Sequence, residues 1–188
     1  RSTLFPYTTL FRSRDLDYLR YERNRSELTV KRYGESLTDF QKYFEKLEDG
    51  LTWASVDADV IRMWIESRVK KGNVASTANT DLSALKSFFR FALARGLVKS
   101  DPAHMVEGLK ERKPLPQFVK ESELNELLDQ TEWSDTYKDV RARTIILMLY
   151  EAGLRRSELV GLDDKDVDLA AMQLRVLGKR NKHRIVPF

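Results

Sequence analysis

The sequence predicts a mainly α-helical chain that closes with a small β-hairpin: a four-helix N-terminal domain, then the opening part of an α+β domain. Three observations predict this. In the first hundred residues, apolar positions recur at steps of three and four, the spacing of one helix face. The stretch 110–117, K-E-R-K-P-L-P-Q, then breaks the pattern with two prolines, high charge and little to bury, the signature of an extended linker. Near the end Met172, Leu174 and Val176 alternate with Gln173 and Arg175, the period of a strand.

The elements follow in order. Residues 1–13 read R-S-T-L-F-P-Y-T-T-L-F-R-S, with T-L-F twice and no initiator methionine. The string matches the translation of a common sequencing adapter and is set aside from fold reasoning as an assembly artefact. A short helix is expected around Leu16 and Leu19. Val30, Tyr33, Leu37, Phe40, Phe44 and Leu47 mark a longer one, with Gly50 as its stop. Asp57 caps a third that buries Val60, Ile61, Trp64 and Ile65. Ser76 or Thr77 starts a fourth, with Leu82, Leu85, Phe88, Phe89 and Ala92 inward and Gly96 at its end. Asp101-Pro102 then resembles a cap and a first helical position. Such helices with short loops make a small bundle, and the aromatic residues at core spacing are packing, not base-stacking, groups. After the linker, a helix is expected over 121–129 and a buried one over 140–151 ending at Gly153. Ser157 to Val160 is a further turn. The strand at 172–176 then reverses at 178–181 into Ile185 and Val186.

Composition excludes more than it selects. The chain has 188 residues, 41% hydrophobic and 33% charged, and no cysteine, so disulfides and thiolate metal sites are ruled out and a reducing, cytoplasmic setting fits. The longest apolar run, 145–150, is far too short to span a bilayer. The formal net charge of +4 includes Arg1 and Arg12. Without those two the excess is small, so charge as a whole points only weakly to nucleic acid. Local clustering is sharper: residues 175–184 hold five Lys or Arg and no acid, just after an aspartate-rich stretch at 163–168. There is no Gly-rich phosphate loop and no H-E-x-x-H. Two histidines without cysteine disfavour zinc, and scattered acids disfavour a two-metal nuclease. No cofactor is expected.

Three constellations carry possible chemistry. Arg155 follows the turn at Gly153, with Glu158 three residues on. Cleaving a phosphodiester builds charge on the non-bridging oxygens of a five-coordinate phosphorus, and a guanidinium can hold two of them at once. A preorganised donor of this kind is worth about 3–4 kcal/mol. The same spacing also describes a solvated Arg–Glu helix pair. At the hairpin tip Lys179, Arg180, Lys182 and Arg184 crowd together. A flexible ammonium there could protonate a leaving oxygen. The tip could equally touch backbone phosphates without specificity, or be a charged edge that prevents strand pairing. Asn79, Ser83, Lys86 and Arg90 line the polar face of the fourth helix, which could lie in a DNA groove or simply be solvated. Asp81 close by is unfavourable for phosphate contact.

Taken together, these residues resemble the tyrosine recombinases, most closely the Xer-type site-specific recombinases and their phage and transposon integrase relatives. The resemblance covers 14–188. It rests on S-E-L-T-V-K-R-Y, T-A-N-T-D-L-S-A-L-K-S-F-F-R-F-A and G-L-V-K-S-D-P-A, and above all on G-L-R-R-S-E-L-V-G-L followed by G-K-R-N-K-H-R-I-V-P. It implies that 14–109 is a SAM-like core-binding domain, 110–117 a linker, and 118–188 the N-terminal part of a catalytic domain. It implies that Arg155 contacts the scissile phosphate, Glu158 supports it, and Lys179 protonates the leaving 5′ oxygen. Lys86 matches a basic position on a DNA-facing helix. It further implies double-stranded DNA as partner, a homo- or hetero-tetramer on two duplexes, no membrane, and a 3′-phosphotyrosine intermediate that stores the broken bond without metal or nucleotide.

Two departures stand out. Thr80-Asp81 follow Asn79 where the family pattern continues with basic residues, which weakens the expected DNA affinity of that helix. The seven tyrosines all precede Lys179, so none is the nucleophile, and the second arginine and the histidine boxes are expected beyond Phe188. The chain is therefore expected to be a C-terminally truncated, inactive piece of the enzyme. The alternatives are a non-catalytic DNA-binding module from a truncated integrase and a helical interaction protein without a nucleic-acid partner.

Overall fold

The computed structural model describes residues 13–47, 51–111, 115–178 and 182–188. Most of the adapter-like start, the expected stop at Gly50, part of the linker and the hairpin tip at 179–181 lie outside the described residues. Two units make up the chain, Arg1–Pro114 and Leu115–Phe188.

In the first unit, residues 13–17 are helical and run into a π-helical turn, Tyr18–Glu22. Three long helices follow: α1 (Glu27–Leu47), α2 (Ala58–Lys70) and α3 (Ala75–Ala94). On α1 the apolar stripe buries Val30, Leu37, Phe40 and Phe44, while Leu47 at the end stays exposed. Asp57 caps α2 as its residue type favours, accepting from the Val60 amide at 2.9 Å. A broad face of α3 is buried, from Ala78 to Ala92, because the helix packs on both α1 and α2. It begins at Ala75, just before the expected Ser76 or Thr77, with no side-chain cap. Gly96, at φ +66°, ends it, and the Leu97 amide reaches back to the Ala92 carbonyl at 2.8 Å.

The core is aromatic. Trp53 stands 4.3 to 6.0 Å, centroid to centroid, from Phe88, Phe44, Phe40 and Phe89, mostly in the tilted or edge-on geometry that ring quadrupoles favour. The helix periodicities anticipate the phenylalanines but not Trp53, which sits in the connection before α2, where no period exists to read.

Two expectations for this unit are corrected. Asp101-Pro102 starts no helix: residues 102–105 form only a turn, closed by the Asp101 carboxylate accepting from the His104 amide at 3.0 Å. The chain is then claimed by the core through Ala103 and Val106 and by Asn79, which binds the Leu109 backbone. Asp81 does not stand on the polar face of α3. It is fully buried and accepts from Arg32 (3.0 Å) and Ser36 (2.7 Å) of α1 and from Arg68 (2.9 Å) of α2. One carboxylate thus bonds the three helices together.

The second unit holds α4 (Glu121–Gln130), α5 (Tyr137–Tyr150) and the short α6 (Arg156–Val160). An antiparallel sheet follows, in the order β1 (Val167–Asp168), β2 (Gln173–Gly178), β3 (Lys182–Pro187). Leu174 faces Val186, Val176 faces Arg184 and Gly178 faces Lys182 across β2 and β3. Leu174, Val176 and Val186 point inward onto Ala152 and Leu154.

The strand β1, inside the aspartate-rich stretch, was not anticipated, since two residues are too few to show a period. Met172 does not share the inward face. It sits at φ +51° in the turn before β2 and is 50% exposed. Nor is α5 buried as expected: none of its residues is fully covered, and Val140, Ile145, Leu149 and Tyr150 are exposed. Its apolar side chains lie all around the helix, a pattern made for cover on several sides. Among the described residues, the small core of this unit takes only Met148 from it. No helix among the described residues is long and apolar enough to cross a membrane.

Candidate nucleic-acid interface

After α5, Gly153 adopts φ +57°, a left-handed conformation that glycine enters without strain. The chain reverses there and Arg155 arrives in extended geometry as the residue that starts α6. The first turn of a helix leaves backbone amides without partners, and Glu158 supplies one acceptor. Its Oε2 accepts from the Arg155 amide at 2.9 Å, half of a capping box. Its Oε1 accepts from the Arg155 guanidinium at 2.6 Å. Arg184 of β3 donates to Oε2 at 2.9 Å, and the same nitrogen lies 3.4 Å from the Gly153 carbonyl.

Glu158 is only 4% exposed. The Arg155 amide, then the Arg184 guanidinium, hold its carboxyl down to about 2 despite the opposing effect of burial. Its two arginine partners stay open to solvent, with 66% of the Arg155 side chain and 43% of the Arg184 side chain exposed. Two guanidiniums against one carboxylate leave an excess positive charge at the surface. β2 ends against the same carboxylate: a Cβ on Gly178 would lie 3.5 Å from Glu158 Oε1 and 3.3 Å from the Lys182 carbonyl.

Of the hairpin cations named from sequence, Lys179 and Arg180 lie outside the described residues. Lys182 is exposed at the start of β3. Arg184 is not a free surface cation, because its guanidinium is engaged by Glu158.

The polar face of α3 divides in two. Ser83 and Arg90 are exposed and Lys86 is half-buried, and all three line a cleft of about 440 Å³. Asn79 sits apart from that cleft and is a structural residue. Its amide nitrogen donates to the Leu109 carbonyl (2.9 Å) and to Glu111 (2.6 Å), and its oxygen accepts from the Leu109 amide (2.7 Å). Arg23, Arg25 and Tyr33 line the same cleft as Lys86 and Arg90, as does Arg95, paired to Glu22 at 2.9 Å. Sequence reasoning missed Arg23 and Arg25, which lie in the non-periodic connection before α1. The only signal was the local R-N-R itself. Several cations lining one groove suit a phosphate backbone.

Two family models match the chain: "Phage integrase, N-terminal SAM-like domain" over residues 15–96 and "Phage integrase family" over residues 117–188. The tyrosine recombinase XerC of Vibrio vulnificus (strain YJ016) is 38% identical over 173 residues, covering 92% of this chain and 54% of the relative. XerC of Mycobacterium sp. (strain JLS) is 36% identical over 174 residues, covering 91% and 58%. The chain thus spans about half the length of the curated relatives it matches. Among solved structures, a lambda integrase (75–356) dimer bound to a COC′ core site superposes with a TM-score of 0.71 at 17% identity, covering 95% of this chain and 61% of that one. The Tn1549 transposon integrase in complex with circular intermediate DNA gives 0.62 at 19% identity, covering 95% and 60%. At such identities these structures establish a shared fold.

Proposed function

Because the chain belongs to the phage integrase family of tyrosine recombinases, we propose that the protein carrying it performs site-specific DNA recombination, cutting and rejoining strands through a 3′-phosphotyrosine. Residues 14–109 are its core-binding domain and 118–188 the first part of its catalytic domain. A tyrosine oxygen, contributed from outside this sequence, gives up its proton to a base and bonds to phosphorus as the bond to the 5′ oxygen breaks. Arg155 holds the non-bridging oxygens, and Lys179 gives its proton to the departing 5′ oxygen. Ser83, Lys86 and Arg90, with Arg23 and Arg25 lining the same cleft, grip the duplex backbone, and Arg180 and Lys182 add contacts at the hairpin. The working assembly is a tetramer on two duplexes, in the cytoplasm.

The observation that carries this reading is the Arg155–Glu158 turn. A largely exposed guanidinium is fixed by a buried carboxylate, the arrangement that preorganised charge stabilisation requires.

The test uses the complete protein, with its coding sequence extended downstream, on a nicked suicide substrate that traps the covalent complex. Arg155→Ala should remove cleavage while leaving gel-shift affinity within about threefold, since one contact among many is lost. Binding and cleavage lost in parallel would make Arg155 an anchor and refute its assigned role.

A further inference from the structure

We propose that Arg184 is a positioning residue: from β3 it neutralises the buried Glu158, so that the charge of Arg155 stays available to a phosphate and the hairpin stays seated against the Arg155 turn. This rests on the reading of Arg155 as the phosphate-binding arginine, and gives Arg184 a task other than touching DNA.

Charge balance is the first argument. Glu158 is buried and ionised, and a buried carboxylate draws in whatever cation it can reach. Among the described residues its ion-pair partners are Arg155 and Arg184. With both present, one positive charge remains in excess. With Arg184 gone, Arg155 alone would balance the carboxylate, and its guanidinium would be held by Glu158 instead of being offered outward.

Geometry is the second argument. One guanidinium nitrogen of Arg184 lies 2.9 Å from Glu158 Oε2 and 3.4 Å from the carbonyl of Gly153, the left-handed residue that turns the chain toward Arg155. Arg184 therefore touches both ends of the turn that aims Arg155. It also stands across from Val176, two positions before Gly178. At Gly178 the absent Cβ lets the strand lie against Glu158 Oε1, and Lys179 is the next residue along the chain. The contact that neutralises Glu158 thus also ties down the strand leading to the hairpin lysine.

The test compares Arg184→Gln, which removes the charge, with Arg184→Lys, which restores it. In this 188-residue chain, the Glu158 carboxyl is followed by carbon-13 NMR. The unmodified carboxylate should remain ionised at about pH 3.5. Arg184→Gln should raise its midpoint by about one pH unit or more, and Arg184→Lys should recover part of that shift. In the complete protein, Arg184→Gln should slow single-turnover cleavage at least about tenfold, the effect of a misaimed group. Arg184→Lys should rescue part of the rate, and the salt dependence of DNA binding should stay unchanged. A salt slope reduced by about one, with cleavage falling only as binding falls, would make Arg184 a phosphate contact and overturn the proposal. An unmoved Glu158 midpoint would overturn it too. The titration needs no catalysis, so failure of the complete protein to cleave any substrate would sink the recombinase reading while leaving the Glu158–Arg184 link decided on its own.

Discussion

Glu158 grips Arg155 twice: Oε2 accepts the arginine's backbone amide at 2.9 Å and Oε1 its guanidinium at 2.6 Å. The same carboxylate therefore fixes where α6 begins and which way the arginine points. A side chain with several rotatable bonds is ordered before any ligand arrives, which lowers the entropy lost on binding.

Replacing that carboxylate separates its charge from its shape. Glu158→Gln in the complete protein should lower single-turnover cleavage by about 10- to 100-fold, the usual consequence of misplacing a group near the chemistry, with DNA affinity nearly unchanged. The pH dependence has a definite sign. The folded carboxyl lies near 2 against an ordinary 4.5, so its stabilising contribution is complete above about 4.5 and fades as pH falls toward 2. Amide exchange in β3 should accelerate across that window in the native chain and show no such step in Glu158→Gln.

Asp81 is the ionic centre of the helical unit. Asp81→Ala would leave Arg32 and Arg68 facing an empty, partly buried site, a loss of about 3 kcal/mol. Denaturant unfolding followed by tryptophan fluorescence reads this directly, since Trp53 and Trp64 lie in the same core. A change below about 1 kcal/mol would mean that solvent reaches the two arginines well enough to replace the carboxylate.

Asp15 should make the N-terminal helix lose stability as pH rises from acid to neutral. It is fully buried, among the described residues neither carboxyl oxygen has a hydrogen-bond partner, and burial pushes its carboxyl up to about 7. The folded state holds the proton over a range where the unfolded chain has released it. Stability should therefore fall as pH rises from about 4 to about 7 and level off above. Asp15→Asn should flatten that dependence and stabilise the chain at about pH 8 while changing little near pH 4. A wild-type melting temperature that is constant across this range would contradict the burial.

The cleft beside α3 makes a prediction about salt. Lys86→Gln and Arg90→Gln should each weaken DNA binding and reduce the slope of log affinity against log salt by about one. Asn79→Ala should leave the slope alone and lower thermal stability, because its hydrogen bonds go to Leu109 and Glu111. The opposite pattern would return Asn79 to the interface.

Much of the fold was written in local periodicity. The stripe from Val30 to Phe44, the Asp57 cap and the inward Leu174 and Val176 are all visible without coordinates, because each depends on neighbours a few residues away. The Arg155–Glu158 pair was legible for the same reason, since i and i+3 meet on any helical turn. The polar and charged side chains that the reading misplaced were misplaced by long-range contacts. Asp81 looks like an unwelcome acid on a polar face until Arg32 and Arg68 arrive from two other helices. Asn79 looks like a groove reader until the chain thirty residues later folds back onto it. Arg184 looks like one more hairpin cation until antiparallel pairing carries it to Glu158.

The sequence alone determined the helical first half, the closing strands and the family motifs, for those are properties of spacing and residue type along the chain. Only the tertiary structure decided which charges are surface charges and which are internal ties. An ionised side chain is indistinguishable in a string of letters whether it faces water or a buried counter-ion. Its role follows from the desolvation and pairing that distant segments impose when they meet.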